Sequence, residues 1–396
     1  MTERKSLNPE QIKQDILNYL NKIFLNSAGS SLPPKSVHEK VKEYLDLEEK
    51  VGGYKAAEIK QDSISEFYHN AADLLACQPS NIAFTHNATD AFSKALTCID
   101  FQPNDVIITT DCDYNSNYIQ FFSLVKRNDI KIVRINSLEN GDLDLEDFQE
   151  KVEKYMPKLV SVSHIPTNSG MVQDVHSIGE ICSKNEIRYL VDACQSVGQL
   201  EVNVNEIKCD FLSTTGRKFL RGPRGTGFLY VSDRVLDDEI YPLMLDGAGA
   251  IWDQENDFTL LEGAKRFEMW EKPYALLVGL SEAIRYLNEV GSIPIEAYNK
   301  ELMRRFRNNL RAIPNVEMFD MGTNLSSILT FRKNGKSLEE IEKRLNDREV
   351  YYSVSNKESG YLDFTNKGID WAIRLSPHYF NSIDEIDRVS EIIESI

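Results

Sequence analysis

Between residues 81 and 232 the chain repeats one pattern: a short apolar run, then a longer stretch of helical composition. The runs are NIAFT (81–85), DVIITT (105–110), KIVRI (131–135), KLVSVSHI (158–165), Ile187–Val191, Cys209–Ser213 and FLYVS (228–232). Stretches of helical character follow Asn87 and cover 144–155 and 174–185. Short β-branched runs alternating with helices predict an α/β fold, a mostly parallel sheet wrapped by helices. In such sheets a ligand binds beyond the carboxyl ends of the strands. The residues there are therefore the first to consult for function.

Two of those ends carry complementary chemistry. Ile187–Val191 delivers Asp192, and Cys209–Ser213 delivers Thr214, Thr215, Gly216, Arg217 and Lys218. Singly, Asp192 reads as a cap or turn residue and Lys218 as a surface lysine. As a pair they suit pyridoxal phosphate (PLP): an amine forms a Schiff base with its aldehyde, and a carboxylate keeps its ring nitrogen protonated. Gln195 lies within one turn of Asp192, and Thr215 and Arg217 flank Lys218 as phosphate ligands would.

VDACQS followed by STTGRKFLRGPRGTG resembles the class V aminotransferase and cysteine desulfurase family of fold-type I PLP enzymes. The likeness covers most of the chain. It implies a large domain with a mostly parallel seven-stranded sheet and a small α+β C-terminal domain. The corresponding division is 1–25 as a helical arm, 26–265 as the PLP-binding domain, 266–288 as a linking helix and 289–396 as the small domain. It also implies roles. Ala88 and Thr89 match a phosphate-binding segment at a helix start, where free N–H groups and the helix dipole favour an anion. Tyr114 matches the aromatic position that stacks on the ring, and Asn168 the residue at its phenolic oxygen. Asn26 and Ala28 match a substrate-lining segment. Tyr54 is a candidate to reach substrate, with a buried aromatic as the competing reading. Arg374 matches the residue that holds the substrate α-carboxylate, a task suited to a guanidinium fork. Where many relatives have R-F-E-x-G-T, this chain has Trp270-Glu271, which puts a cross-subunit phosphate contact in doubt and makes Trp270 a substrate candidate. Arg217 stands where many relatives have histidine.

The same resemblance implies an amino-acid substrate, a homodimer, and chemistry that begins with α-proton abstraction by Lys218. Cysteine desulfurases carry a nucleophilic cysteine on a loop shortly before the substrate arginine. Here residues 351–373 contain none, and the last cysteine is Cys209. YYSVSNKESGYLDF, with Tyr54 and Trp270-Glu271, resembles a carbon–sulfur lyase branch instead. The expected function is a lyase that cleaves the Cβ–S bond of a cysteine S-conjugate or sulfoxide. The alternatives are a class V aminotransferase, a cysteine desulfurase or selenocysteine lyase-like enzyme, an epimerase, or a silent PLP-fold binding protein.

Composition limits the rest. With 62 acidic against 45 basic residues the net charge is −17, which argues against nucleic acid and anionic membranes as partners. Six cysteines without a CxxC pair read as reduced thiols, and six histidines without paired spacing predict no metal site. The first residues, MTERKSLNPEQIKQD, show no apolar leader, so a cytoplasmic protein is expected. Residues 9–23 space Ile12, Ile16, Leu17, Leu20 and Ile23 as an amphipathic helix. Residues 24–34 read as a strand entering a turn, 35–50 as a helix, 222–227 as a tight return into the sheet, and 266–287 as the start of the linking helix. Beyond about 290, VEMFD, SSILTFRK, YYSVSN and AIRLSPH read as strands, and KSLEEIEKRLNDRE and SIDEIDRVSEIIESI as helices, the first with Ser337 and Glu340 as a capping box.

Overall fold

The structure is a computed structural model that describes residues 7–17, 19 and 22–396. Its main sheet has seven strands: β1 (Ile82–Thr85), β2 (Val106–Thr110), β3 (Lys131–Ile135), β4 (Leu159–Ser163), β5 (Arg188–Asp192), β6 (Phe211–Thr215) and β7 (Gly227–Val231). Their spatial order is β1-β7-β6-β5-β4-β2-β3. β2 through β6 run parallel, and β7 is antiparallel to both of its neighbours. The sheet is the mostly parallel one expected. The tight return read at 222–227 is what reverses the chain into β7, with Gly225 at a φ of 84°.

Period-two alternation sends successive side chains to opposite faces. Tyr189 and Val191 enter one buried cluster, while Leu190 enters the other. Both faces are thus covered, as an apolar parallel sheet requires. On the first face lie the helices Lys35–Val51 and Gln61–Leu75, packed against Tyr274–Val290.

A second sheet of four antiparallel strands is built from β8 (Val316–Met318), β9 (Leu329–Lys333), β10 (Ser353–Asn356) and β11 (Trp371–Leu375), in the order β8-β9-β11-β10. Its core joins Leu329, Phe331 and Ile373 to Phe306, Leu310, Ile386 and Val389. The capping box read at Ser337 and Glu340 is formed.

Several elements depart from expectation. The N-terminal helix spans only Pro9–Gln14, capped by Asn8, and Leu20 lies outside the described residues. The strand expected at residue 24 is Ile23–Phe24, and a helical turn, Ser27–Ser30, replaces the open turn. The helix read from residue 266 begins at Tyr274: Ala264–Phe267 form a 3-10 turn, and Pro273, which cannot continue a preceding helix, caps the start. A 21-residue helix, Ser292–Ala312, precedes the first expected strand of this domain and was not read from the sequence; its Ile295, Leu302, Met303, Phe306 and Leu310 are buried at helical spacing. No helix among the described residues is long and apolar enough to cross a membrane.

Leu190 is fully buried on the central strand. Leu190→Ala should cost about 2–5 kcal/mol through lost burial and an unfilled cavity, read as a lower urea midpoint.

Candidate active site

β5 and β6 end side by side, with Asp192 in register with Ser163 on β4 and Ser213 on β6. A cavity of about 210 Å³ opens beyond these ends. Eight of the expected residues line it: Ala88, Thr89, Tyr114, Asp192, Gln195, Thr215, Arg217 and Lys218. They come from four separate strand ends, and the sheet alone brings them together.

Asp192 is buried and held on both oxygens. The Asn117 carboxamide donates to Oδ2 at 3.0 Å, and the Cys194 N–H donates to Oδ1 at 3.0 Å. Lys218 Nζ lies 6.0 Å from the centre of the Tyr114 ring. Burial lowers the Lys218 pKa, and the nearby Arg217 guanidinium lowers it further, against the opposing pull of Cys194 and Asp192. The amine is thereby biased toward its neutral, nucleophilic form.

At the other wall, helix α1 (Ala88–Thr97) points its N-terminus into the cavity. Asn87 caps it by accepting from the Asp90 N–H at 2.9 Å. That cap leaves the dipole end and the first N–H groups beside the cavity, a seat for an anion. Gly227 makes the approach possible. A Cβ there would lie 2.5 Å from the Thr214 carbonyl oxygen and 3.1 Å from the Ala88 nitrogen.

Arg217 donates to the Gly29 carbonyl, and its own carbonyl accepts from the Ser31 N–H at 2.8 Å. The Lys218 turn is thus tied to the 26–31 segment. Ala28 N–H donates to Ser376 Oγ at 2.9 Å, and buried Asn26 Oδ1 has no partner among the described residues. Gln195 Nε2 donates to Thr167 Oγ1 at 2.8 Å, while its buried Oε1 has no partner among the described residues either.

Arg374, on β11, reaches the rim from the second sheet. Its Nε donates to Ser353 Oγ at 2.9 Å and its Nη1 to the Thr167 carbonyl at 2.8 Å. Its Nη2 has no hydrogen-bond partner among the described residues. Burial, then Arg217, pushes its pKa down to about 10.

Six expected residues are not among those lining the cavity: Asn26, Ala28 and Arg374, described above, and Asn168, Tyr54 and Trp270. Asn168 is one position past the lining residue Thr167 and accepts from Ser359 Oγ at 3.4 Å. Tyr54 is 90% exposed and Trp270 65%, both outside this cavity. The competing reading of Tyr54 as a buried aromatic is excluded. Sequence reasoning passed over Asn117, Ser163, Ile165, Thr167 and Cys194, which also line the cavity. The spacing of Asn117 from Tyr114, one helical turn, was the available signal.

The cavity fits a phosphorylated aromatic aldehyde. It holds a buried lysine, a buried acid, an aromatic face, a helix N-terminus and an orphaned amide oxygen. Because Lys218 is harder to protonate when folded, the unfolded chain binds more protons between its lowered pKa and the ordinary 10.5. The apoprotein should therefore gain stability, relative to Lys218→Met, as pH rises through that window. Urea melts of the two proteins over a pH series check this.

Comparison with known proteins bears on the family and the fold. A probable cysteine desulfurase of Methanothermobacter thermautotrophicus is 27% identical over 98% of this chain and 98% of its own length. The apo structure of a cysteine desulfurase from Thermococcus onnurineus superposes with a TM-score of 0.89 at 26% identity, covering 98% of this chain and 97% of that one. A cystine C–S lyase solved with cysteine persulfide superposes with a TM-score of 0.85 over 95% of this chain and 98% of that one; at 21% identity the likeness carries the fold alone. The family profile described as aminotransferase class-V matches residues 23–389, and the chain belongs to that family.

Proposed function

We propose that this enzyme is a PLP-dependent lyase that cleaves the Cβ–S bond of a cysteine-derived amino acid, an S-conjugate or sulfoxide. The observation that carries the reading is a neutral-biased buried lysine facing the cavity, with no thiol competent to capture sulfur beside it. The sequence between 351 and 373 contains no cysteine. Cys194 lines the cavity, but burial first, then the charge of Asp192, holds its thiol well above the usual range. A thiol in that state is a poor nucleophile.

When bound, PLP supplies an electron sink for the pair left at Cα once its proton departs. Lys218 is the residue to hold its aldehyde carbon, Asp192 its ring nitrogen and Tyr114 its ring face. Ala88, Thr89, Thr215 and Arg217 would take its phosphate, and Gln195 would lie at the phenolic side, the expected role of Asn168, whose side chain instead accepts from Ser359. The free Nη2 of Arg374 receives one oxygen of the substrate α-carboxylate, and its bonds to Ser353 and Thr167 fix its plane. Asn26 and Ala28 wall the substrate end. Lys218 then takes the α-proton as general base. Sulfur leaves Cβ with the bonding pair, and water completes the release of pyruvate and ammonia. Transamination shares the first step, so the fate of the proton separates the two.

The active form is a homodimer. Met244 at 83% exposure and Trp252 at 82%, with Leu243, Tyr54 and Trp270, are large apolar side chains left to solvent, the kind of residue a subunit interface covers. In that assembly Tyr54 and Trp270 belong beside a partner's site. The acidic surface and reduced thiols suit a cytoplasmic enzyme acting on a small molecule.

Borohydride reduction and peptide mapping should place the pyridoxyl group on Lys218; a label on another lysine overturns the assignment. Incubation with cysteine S-conjugates, sulfoxides and plain amino acids, with and without a keto acid, tests the reaction. Pyruvate from a conjugate without keto acid is the expected result. Strict dependence on a keto acid would make the enzyme an aminotransferase. Arg374→Ala should raise KM about 10- to 100-fold, since a charge-assisted carboxylate contact is lost. Light scattering should give the mass of two chains.

A further inference from the structure

β2 and β4 are neighbours in the sheet, yet their pairing stops early. The ladder contains Ile107 with Leu159 and Ile108 with Val160, and nothing beyond. Thr109–Thr110 and Ser161–Ser163 therefore reach the site without backbone pairing to one another. This is where the strand order reverses, because the chain passes from β2 outward to β3 and then back across to β4. Such a reversal opens the crevice that ligands use.

One buried acid bridges the gap. Asp113 Oδ1 accepts from the Ser163 N–H at 2.7 Å and from Ser163 Oγ, and its Oδ2 accepts from Thr109 Oγ1. Its side chain is 3% exposed, and no cation is among the groups that shift its titration. The titratable groups around it are Asp192 and Tyr189 from β5 and Tyr118 from the following helix α2 (Asn115–Asn128). A buried carboxylate is costly unless hydrogen bonds offset its lost hydration, and Asp113 accepts three, all from β2 and β4.

What it holds is the segment that follows. Tyr114 turns its ring toward Lys218, and Asn117 donates to Asp192. Ser163 is the β4 residue in register with Asp192, and its carbonyl accepts from Gln173 Nε2 at 2.6 Å. Five consecutive residues, 113 to 117, thus grip β4, face the lysine and orient the acid.

We propose that Asp113 is a positioning residue: its carboxylate clamps the unpaired ends of β2 and β4 and so fixes Tyr114 and Asn117 around Asp192 and Lys218. The consequence for the cofactor rests on the function proposed above; the clamp itself does not. Asparagine can keep the clamp, with its oxygen on Ser163 and its amide donating to Thr109 Oγ1. Alanine cannot.

Amide hydrogen exchange of the apoprotein tests the clamp without any cofactor. The Ser163 N–H should exchange at least about tenfold faster in Asp113→Ala than in the native chain, and within a few-fold of native in Asp113→Asn. Thr109→Val removes one contact and should give an intermediate rate; it serves should the alanine variant fail to fold. In PLP-loaded protein, Asp113→Ala should alter the visible circular dichroism of the bound ring and lower kcat at least about tenfold with KM little changed, and Asp113→Asn should restore both. Native exchange in Asp113→Ala or, if it does not fold, in Thr109→Val overturns the proposal, as does an asparagine variant as impaired as alanine. A native chain that takes up no PLP would remove the proposed function and leave the exchange result standing.

Discussion

The site depends on a place where backbone hydrogen bonding gives out. Parallel strands normally hold each other through even ladders. Here β2 and β4 share only a short one, and β5 beside them carries Asp192 at its last residue. The crevice that results is polar because strand ends that stop pairing must satisfy their donors elsewhere. Ser163 does so by donating its N–H to Asp113, while the Asp192 carboxylate beside it accepts from Asn117 and from the Cys194 N–H. The same need that stabilises the strand ends also orients the groups that face the cavity.

Charge is the second constraint. Lys218, Arg217 and Arg374 converge on one side of the cavity, and each has its protonated form disfavoured by burial. Arg217 acts against both others. Such a cluster is tolerable where anions are expected, and a phosphate and an α-carboxylate would both lower its cost. It also gives the lysine a reason to be neutral. A single environment thus prepares an anion seat and a base.

The elements that hold this arrangement come from distant parts of the chain. The 26–31 segment is bound to the lysine turn through Arg217 and to the end of β11 through Ser376. Arg374 crosses from the second sheet to Thr167. A substrate lying between them would touch residues separated by more than three hundred positions in sequence. Relative movement of the two sheets would therefore alter carboxylate binding before it altered the lysine.

The sequence by itself determined the parallel sheet, because period-two and helical patterning are local. It also placed an acid and a lysine at strand ends, because Asp192 directly follows one apolar run and Lys218 lies within five residues of another. Capping residues such as Ser337 were legible for the same reason. Only the tertiary structure decided what depends on strand order and on which side chains meet across it. Nothing local distinguishes Asp113 from other acids; its meaning comes from Ser163, fifty residues away, across a gap that only the β2–β4 register creates. Arg217 looked like a phosphate ligand from its neighbours in sequence, and its contact with the Gly29 carbonyl follows from how the N-terminal segment folds back. The start of the helix at Tyr274 was set by Pro273, a local signal that helical periodicity concealed. Tyr54 lies on the surface because its helix, Gly53–Ile59, buries Ala56 instead, and Trp270 because it sits in the irregular stretch before the helix at Tyr274.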